Sequence, residues 1–206
     1  VAMTVGGFSF MLDPADVRVM RKRLLDIHED VDAIVDLFST ITLPDFGRPR
    51  EYVSLKHPDR YALYDGDIFS SDGHRLPVRR YLEATNECVA PYSTAKHARW
   101  HRQDYMVGAL ARFNNNFEQL HPAAQQVAAR LGMAPPVHNP FAITLAQLIE
   151  CVHCLEDAIE LCDGILANGL DPTQLQAEVT VRAGSGVGAV EAPRGMLFHP
   201  YEYDDE

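Results

Sequence analysis

Two stretches of the chain carry apolar residues at the alternating three- and four-residue spacing of a single helical face. The first begins after Asp13-Pro14, where Asp can cap the free amides of a first turn and Pro fits the first helical position. Its apolar series is Val17, Met20, Leu24, Ile27, Val31, Ile34 and Phe38. The second follows Asn139-Pro140, with the series Phe141, Leu145, Leu148, Val152, Leu155, Ile159, Cys162 and Leu166. The spacing predicts two long amphipathic helices, the first about 25 residues long.

Between these helices the pattern is weaker but still mostly helical. Residues 121–131 indicate a short helix that ends at Gly132, and residues 81–117 keep a helical pattern with interruptions near Pro91 and Gly108. We therefore predict a helical body over residues 13–40 and 76–170.

Strand signals are confined to two regions. Residues 52–55, 61–64 and 67–70 predict a small β meander within residues 50–73, with Asp65-Gly66 as its hairpin turn. Residues 178–181 and 186–198 predict short strands joined by glycine-rich turns, within a C-terminal segment at 178–203. The predicted fold class is mainly α with small β additions, organised as one unit over residues 1–206.

Composition narrows the class of protein. The chain has 206 residues, 18 Lys and Arg against 29 Asp and Glu, and a formal net charge of −11, which argues against a nucleic-acid partner. Hydrophobic residues make up 47% and charged residues 23%, so a packed core is expected. Neither a long apolar run nor a basic signal-peptide start is present, and four cysteines make no secreted disulfide framework. These observations predict a cytoplasmic protein without a membrane span.

Most of the motifs that suggest a metal or catalytic site lack other residues that such a site requires. Cys151 and Cys154 form a CxxC in the middle of the second helix, without a second pair, so we predict buried or half-buried helical thiols. Cys88 and Cys162 are predicted to be apolar packing residues. His97 and His101 would share a helical face, but no Glu stands beside the first, as a metalloprotease helix requires.

The C-terminal segment contains the largest group of candidate functional residues. Its glycine run at 184–188 lacks the Lys-Ser/Thr ending of a phosphate loop and predicts a tight turn. Further on, an apolar run leads to Glu191, Pro193, Arg194 and Gly195. Pro fixes the backbone before the arginine, and Gly leaves room for close approach after it. The residues alone leave two interpretations open: a guanidinium held over something buried, or a Glu191–Arg194 structural pair in a β-turn.

The run VGAVEAPRGMLFH at residues 187–199 resembles a motif in the large subunits of nickel–iron hydrogenases. Further segments similar to that family follow in the family's order: VGG, SLKHPD, SSDG, ECVAPYSTAK and YMVGALARFN. The resemblance covers essentially the whole chain. It is strongest to the soluble branch that works with NAD(P)-, deazaflavin- or heterodisulfide-linked partners.

This resemblance implies a long-helix bundle core and reversible oxidation of H2 at a nickel–iron centre carrying cyanide and carbon monoxide ligands. It also implies that the partner is an iron–sulfur small subunit. Arg194 matches the arginine over the open coordination position, Pro193 lines the same pocket, and Glu191 and His199 match supporting positions.

The family holds its metals with two CxxC motifs, one near each terminus, and this sequence contains neither in its family context. We therefore expect a central piece of a large subunit with cut ends, inactive and metal-free by itself. Apolar faces that the rest of the complex would cover are expected to be exposed. The alternative is a hydrogenase-like scaffold subunit that has lost its metal ligands and serves as an interaction module.

Overall fold

A computed structural model describes residues 3–180 and 182–204. The α-helices are α1 (Pro14–Asp26), α2 (His28–Ser39), α3 (Ala109–Asn116), α4 (Pro122–Arg130) and α5 (Ile143–Asn168). The strands are β1 (Met3–Thr4), β2 (Gly7–Phe8), β3 (Glu51–Lys56), β4 (Asp67–Ser70), β5 (Arg75–Leu76), β6 (Tyr105–Met106), β7 (Gly184–Ala192) and β8 (Gly195–Tyr203). Short 3-10 helices lie at Val78–Glu83, Phe117–Gln119, Pro140–Ala142 and Pro172–Gln174. The prediction of a mainly α fold with small β additions is confirmed.

The core lies where α3, α4 and α5 meet. Phe113, Leu110 and Ile149 are fully buried there, and Val35 of α2 joins the same cluster. The second predicted helix is correct: Asn139 accepts a hydrogen bond from the Phe141 amide, and α5 follows the short 3-10 turn. The helix predicted over residues 121–131 is also present, as α4.

The first predicted helix is wrong in two respects, because it breaks at Ile27 and because part of its apolar series faces outward. Met20, Ile27 and Ile34 are 42–47% exposed, whereas Val17 and Val35 are buried. The face against α5 includes polar contacts that an apolar pattern does not detect. Arg21 forms a bidentate ion pair with Asp163, at 2.5 and 3.2 Å, and His28 contacts Glu156 at 3.1 Å.

The helical pattern over residues 81–117 is mostly wrong. The backbone forms the 3-10 segment Val78–Glu83, then an irregular stretch with the short strand β6, and becomes α-helical only in α3. His97 lies in an antiparallel bridge with Cys88, and His101 stacks on His74 at 3.5 Å between ring centroids. The two histidines therefore do not share a helical face.

The small sheet has the strand order β5-β4-β3-β6, antiparallel except for the parallel pair β3 and β6. The predicted strand over residues 61–64 is wrong, and β5 takes the third antiparallel position instead. The reason is that this segment serves other contacts. The Leu63 carbonyl accepts the Glu191 amide at 2.6 Å, and the Tyr61 hydroxyl donates to Glu150 at 2.7 Å.

The C-terminal segment forms one antiparallel hairpin rather than several short strands. β7 and β8 pair from Gly184 with Tyr203 to Ala192 with Gly195, so the glycine run at 184–188 is strand and not turn. Residues 178–180 form no strand, and residue 181 of that prediction lies outside the described residues. Among the described residues, no helix combines the length and apolar character needed to cross a bilayer.

Candidate functional site

The tip of the β7–β8 hairpin is the two-residue turn Pro193-Arg194, and its backbone packs against the segment that precedes α3. Gly195 has φ +147°, and a Cβ there would lie 2.7 Å from the Val107 Cγ2 atom. Gly108 has φ +82°, and a Cβ there would lie 3.3 Å from the Arg194 carbonyl. Both positions need glycine, because a side chain would separate the tip from α3.

A buried guanidinium lies directly behind this tip. Arg112 of α3 leaves only 3% of its side chain exposed and forms a bidentate pair with Glu150 of α5, at 2.5 and 2.7 Å. Its Nη1 atom donates to Glu191 at 2.9 Å and to the Ala192 carbonyl at 2.8 Å. Burial lowers the pKa of Arg112, but the hydrogen bonds and charges of the two glutamates outweigh it, so the net shift is upward.

Glu191 joins three parts of the fold. Its side chain has no exposed surface, and besides Arg112 it accepts the Leu55 amide at 2.7 Å. Burial raises the pKa of Glu191 to about 7, although the charge of Arg112 acts in the opposite direction. The structure therefore answers one question that the sequence left open: the partner of Glu191 is Arg112, and the Glu191–Arg194 pair is not formed.

Glu150 extends the cluster toward the helical body. The Tyr61 hydroxyl donates to its Oε1 atom at 2.7 Å, and the tyrosine ring packs on His153 at 4.8 Å between centroids. Burial, followed by the charge of Glu150, raises the pKa of Tyr61 well above its ordinary value, so this phenol remains a hydrogen-bond donor. The buried charge cluster, defined as Arg112, Glu150, Glu191 and Tyr61, is thus satisfied by its own members and nearby backbone.

Arg194 itself is exposed at the tip, next to exposed Pro193. Within residues 3–180 and 182–204, no acidic side chain pairs with its guanidinium. His199 lies opposite Gly188 on β8, four residues beyond Gly195 and hence about 13 Å along the strand. The structure therefore brings Pro193 and Arg194 together, with Glu191 behind them, and leaves His199 away from the tip.

The cysteines do not form a site among themselves. Cys162 is buried as predicted, but Cys88, Cys151 and Cys154 are exposed, so that part of the prediction is wrong. Partial burial of the thiol and the nearby Glu150 charge raise the pKa of Cys154 to about 11. In the described part of the chain, no three His, Cys, Asp or Glu side chains are placed to hold a metal ion together.

Comparison with known proteins gives no matching family model. Over 203 residues the chain is 30% identical to the alpha chain of sulfhydrogenase 1 from Pyrococcus furiosus, covering 98% of this chain and 47% of the relative. Over 163 residues it is 43% identical to part of the F420-non-reducing hydrogenase of Methanothermobacter marburgensis, covering 70% of this chain and 33% of the relative.

Solved structures agree with these sequence matches. An NAD+-reducing [NiFe]-hydrogenase in its H2-reduced state matches with a TM-score of 0.78 and 26% identity, over 97% of this chain and 48% of that chain. The Ni-Fe-Se hydrogenase of D. vulgaris Hildenborough matches with a TM-score of 0.64 and 17% identity, over 97% of this chain and 50% of that chain, and supports the fold alone.

The matched sequences and structures are all hydrogenases. More particularly, the chain's homologues are the large (alpha) subunits of nickel–iron hydrogenases. The chain spans about half the length of the first of these relatives, so it corresponds to a part of that polypeptide.

The sequence interpretation did not single out Arg112, Glu150 or Tyr61. A signal was available for Arg112, because it stands among the small and apolar residues of the run GALAR, at the beginning of a helix that turns out to be buried on almost every side. A charge in such a helix needs a buried partner. No comparable signal marks Glu150, which lies between apolar positions on an amphipathic helix.

Proposed function

We propose that the chain is part of the large subunit of a nickel–iron hydrogenase, which catalyses the reversible oxidation of H2 to two protons and two electrons. The observation that carries this proposal is the exposed Arg194 on a hairpin tip that is hydrogen-bonded to a buried charge cluster and packed closely at two glycines. A surface arginine needs no such support. A guanidinium that must meet a reacting centre at a fixed angle does.

The residues present fit such a centre as neighbours and not as ligands. Among the described residues, Cys151 and Cys154 have no further His, Cys, Asp or Glu side chains placed to complete a metal site with them. In this proposal the thiolate ligands come from outside these 206 residues. Arg194 and Pro193 would then adjoin the nickel–iron centre with its cyanide and carbon monoxide ligands, which supplies the chemistry of H2 cleavage.

The chain's own contribution is electrostatic and steric. The Arg194 guanidinium offers planar N–H donors that can hold an anionic ligand such as cyanide and favour charge separation near it. Pro193 has no backbone N–H and fixes the backbone before the arginine, so it can form a rigid apolar wall. Glu191 supports the tip from behind through Arg112. We assign His199 a supporting role along β8.

For partners, we propose the iron–sulfur small subunit of a hydrogenase and, through it, an electron-transfer protein linked to NAD(P), a deazaflavin or a heterodisulfide. The name of one matched structure, an NAD+-reducing [NiFe]-hydrogenase, supports the NAD(P)-linked partner. Exposed apolar side chains along α1 and α2 leave room for a large protein contact, among them Met20, Ile27, Ile34 and Leu37. All four cysteines are free, which is typical of a reducing compartment, so we propose the cytoplasm.

The test is Arg194→Lys in the hydrogenase complex that contains this chain, with Arg18→Lys on the exposed side of α1 as the matched control. We expect H2 oxidation to fall by about 100-fold or more with nickel content unchanged, because lysine cannot present the planar fork. The control is expected to retain wild-type turnover. Wild-type turnover in Arg194→Lys would remove Arg194 from the mechanism.

Metal analysis separates the enzyme from the scaffold alternative. A complex that contains nickel supports the enzyme, and a complex with no nickel and no H2 oxidation supports the scaffold. The 206-residue chain alone is expected to bind no stoichiometric nickel. About one nickel per chain, retained through a chelator wash, would contradict that expectation.

A further inference from the structure

We infer that Arg112 is a positioning residue, which sets the placement of Arg194 by holding the hairpin tip through its backbone carbonyls. This inference rests on the proposed function, in which Arg194 faces the reacting centre. It concerns a residue on a different element, because Arg112 belongs to α3 and Arg194 to the turn between β7 and β8.

The Arg112 guanidinium donates hydrogen bonds to two kinds of acceptor, side-chain carboxylates and backbone carbonyls. Its Nε and Nη2 atoms bind Glu150, which anchors the guanidinium to α5. Its Nη1 atom donates to the Ala192 carbonyl at 2.8 Å, and Nη2 lies 3.5 Å from the Pro193 carbonyl. These two carbonyls are the last two before Arg194. The guanidinium therefore ties the backbone immediately before Arg194 to a fixed helix.

A second contact lies one helical turn before Arg112, at the residue that caps the N-terminus of α3. The Arg112 amide donates to the carbonyl of this residue, Gly108, at 3.0 Å. Gly108 approaches the Arg194 backbone so closely that even a Cβ would lie 3.3 Å from its carbonyl. α3 thus supports the tip at two points, by hydrogen bonds from Arg112 and by backbone packing at Gly108. Two separated points fix an orientation, whereas one would leave a hinge.

The chemistry of the site requires arginine at this position. The planar guanidinium can serve a carboxylate on one edge and carbonyl oxygens on another at the same time. A lysine ammonium in the same space keeps the charge but has only three donors on one atom, so it can bind the glutamates only by giving up the tip carbonyls. The substitution Arg112→Lys therefore keeps the positive charge but loses the hydrogen bonds that position the tip.

The alternative is that Arg112 only stabilises the fold, and local and global measurements distinguish the two. We would purify the hydrogenase complex with Arg112→Lys and measure hydrogen–deuterium exchange, nickel content, thermal stability and H2 oxidation. The matched control is Arg102→Lys, the same change in a bidentate pair with Asp72 at 2.6 and 2.7 Å whose arginine is 46% exposed. A second variant, Glu150→Gln, keeps the side-chain shape and removes one anchor of the guanidinium.

The inference predicts a local effect in Arg112→Lys. The backbone amides of Ala192 and of residues 194–196 should exchange about tenfold faster, while those of α4 and the control variant stay unchanged. The kcat for H2 oxidation, expressed per bound nickel, should fall about tenfold or more with little change in KM, because a displaced guanidinium weakens only interactions made during the reaction. Glu150→Gln should shift both quantities in the same direction by a smaller factor.

Unchanged exchange at the tip in both variants would overturn the inference, as would unchanged kcat per nickel. Nickel content and melting temperature that fall together, with kcat per nickel preserved, would show a purely structural role and overturn it as well. If Arg112→Lys does not accumulate, Glu150→Gln decides by the same criteria. A wild-type complex without nickel or H2 oxidation would refute the proposed function instead, and the exchange measurement would still show whether Arg112 holds the tip.

Discussion

Removing the charge of Arg112 tests how strongly the buried charge cluster supports the fold. Arg112→Met keeps most of the side-chain volume and leaves two carboxylates without their counter-ion. The Glu191 side chain has no exposed surface through which water could hydrate it, and the hydrogen bond that it keeps is the one from the Leu55 amide. The Glu150 side chain is 12% exposed and keeps the hydrogen bond from the Tyr61 hydroxyl. Breaking a buried pair by removing one partner costs about 3–5 kcal/mol. For a chain of this size, that lowers the melting temperature by roughly 6–20 °C.

The loss of stability caused by Arg112→Met should be larger at higher pH. The pKa of Glu191 is already raised to about 7 by burial, and losing Arg112 raises it further. A carboxyl whose folded-state pKa lies above its unfolded value binds more protons when folded, so stability falls as pH rises through the interval between the two. Because that interval is wider in Arg112→Met than in the wild type, the variant should lose more stability at about pH 8 than at about pH 5.

The measurement is urea denaturation of wild type and Arg112→Met at about pH 5 and about pH 8, followed by far-ultraviolet circular dichroism. A triple variant that adds Glu150→Gln and Glu191→Gln is the control, since it removes the uncompensated charges and should recover at least half of the loss. A loss below about 1 kcal/mol at the higher pH would refute the reasoning, because breaking a buried pair costs several times that. An equal loss at both pH values would refute the assignment of the cost to Glu191.

Two further predictions concern the tip and the helical body. Gly195→Ala places a Cβ 2.7 Å from the Val107 side chain at φ +147° and should cost about 1–3 kcal/mol in thermal denaturation, whereas Gly184→Ala, which meets open space, should cost much less. His153 accepts the His121 amide at its Nδ1 atom, and burial lowers its pKa, so this contribution to stability is present above pH about 6.5 and declines as pH falls below it. His153→Phe should flatten that decline in melting curves at about pH 7.5 and 5.5, and an unchanged decline would contradict it.

The sequence predicted correctly those helices whose ends and buried faces are determined by residues close together in the chain. The α4 and α5 helices follow from capping residues, from apolar spacing and, at the end of α4, from Gly132, whose φ of +69° ends the helix. The first helix shows the limit of the same method. Its apolar series was real, but which of two adjacent faces packs on α5 was decided by Arg21 and His28, whose partners Asp163 and Glu156 are 142 and 128 residues away.

The strand predicted over residues 61–64 failed for a related reason. Its apolar and aromatic residues, Tyr61-Ala62-Leu63-Tyr64, are typical of a strand, yet a strand also needs a free neighbour to pair with. In the structure β3 is already paired with β4 on one side and with β6 on the other. Residues 61–64 are left to connect the sheet to the hairpin, through Leu63, and to the charge cluster, through Tyr61.

The same distinction explains what could be predicted of the candidate site. The motif around Arg194 was visible because proline, arginine and glycine are adjacent in sequence, and one of the two open interpretations paired Arg194 with Glu191, three residues before it. In the hairpin, Glu191 pairs across the ladder with Met196, and its side chain turns into the core, away from the turn that exposes Arg194. Its charge is then met by Arg112, 79 residues earlier in the chain. The buried carboxylate of Glu191 therefore does not neutralise the exposed guanidinium of Arg194, three residues further on. Glu191 pairs instead with the interior arginine, Arg112, and Arg112 holds the backbone that carries Arg194.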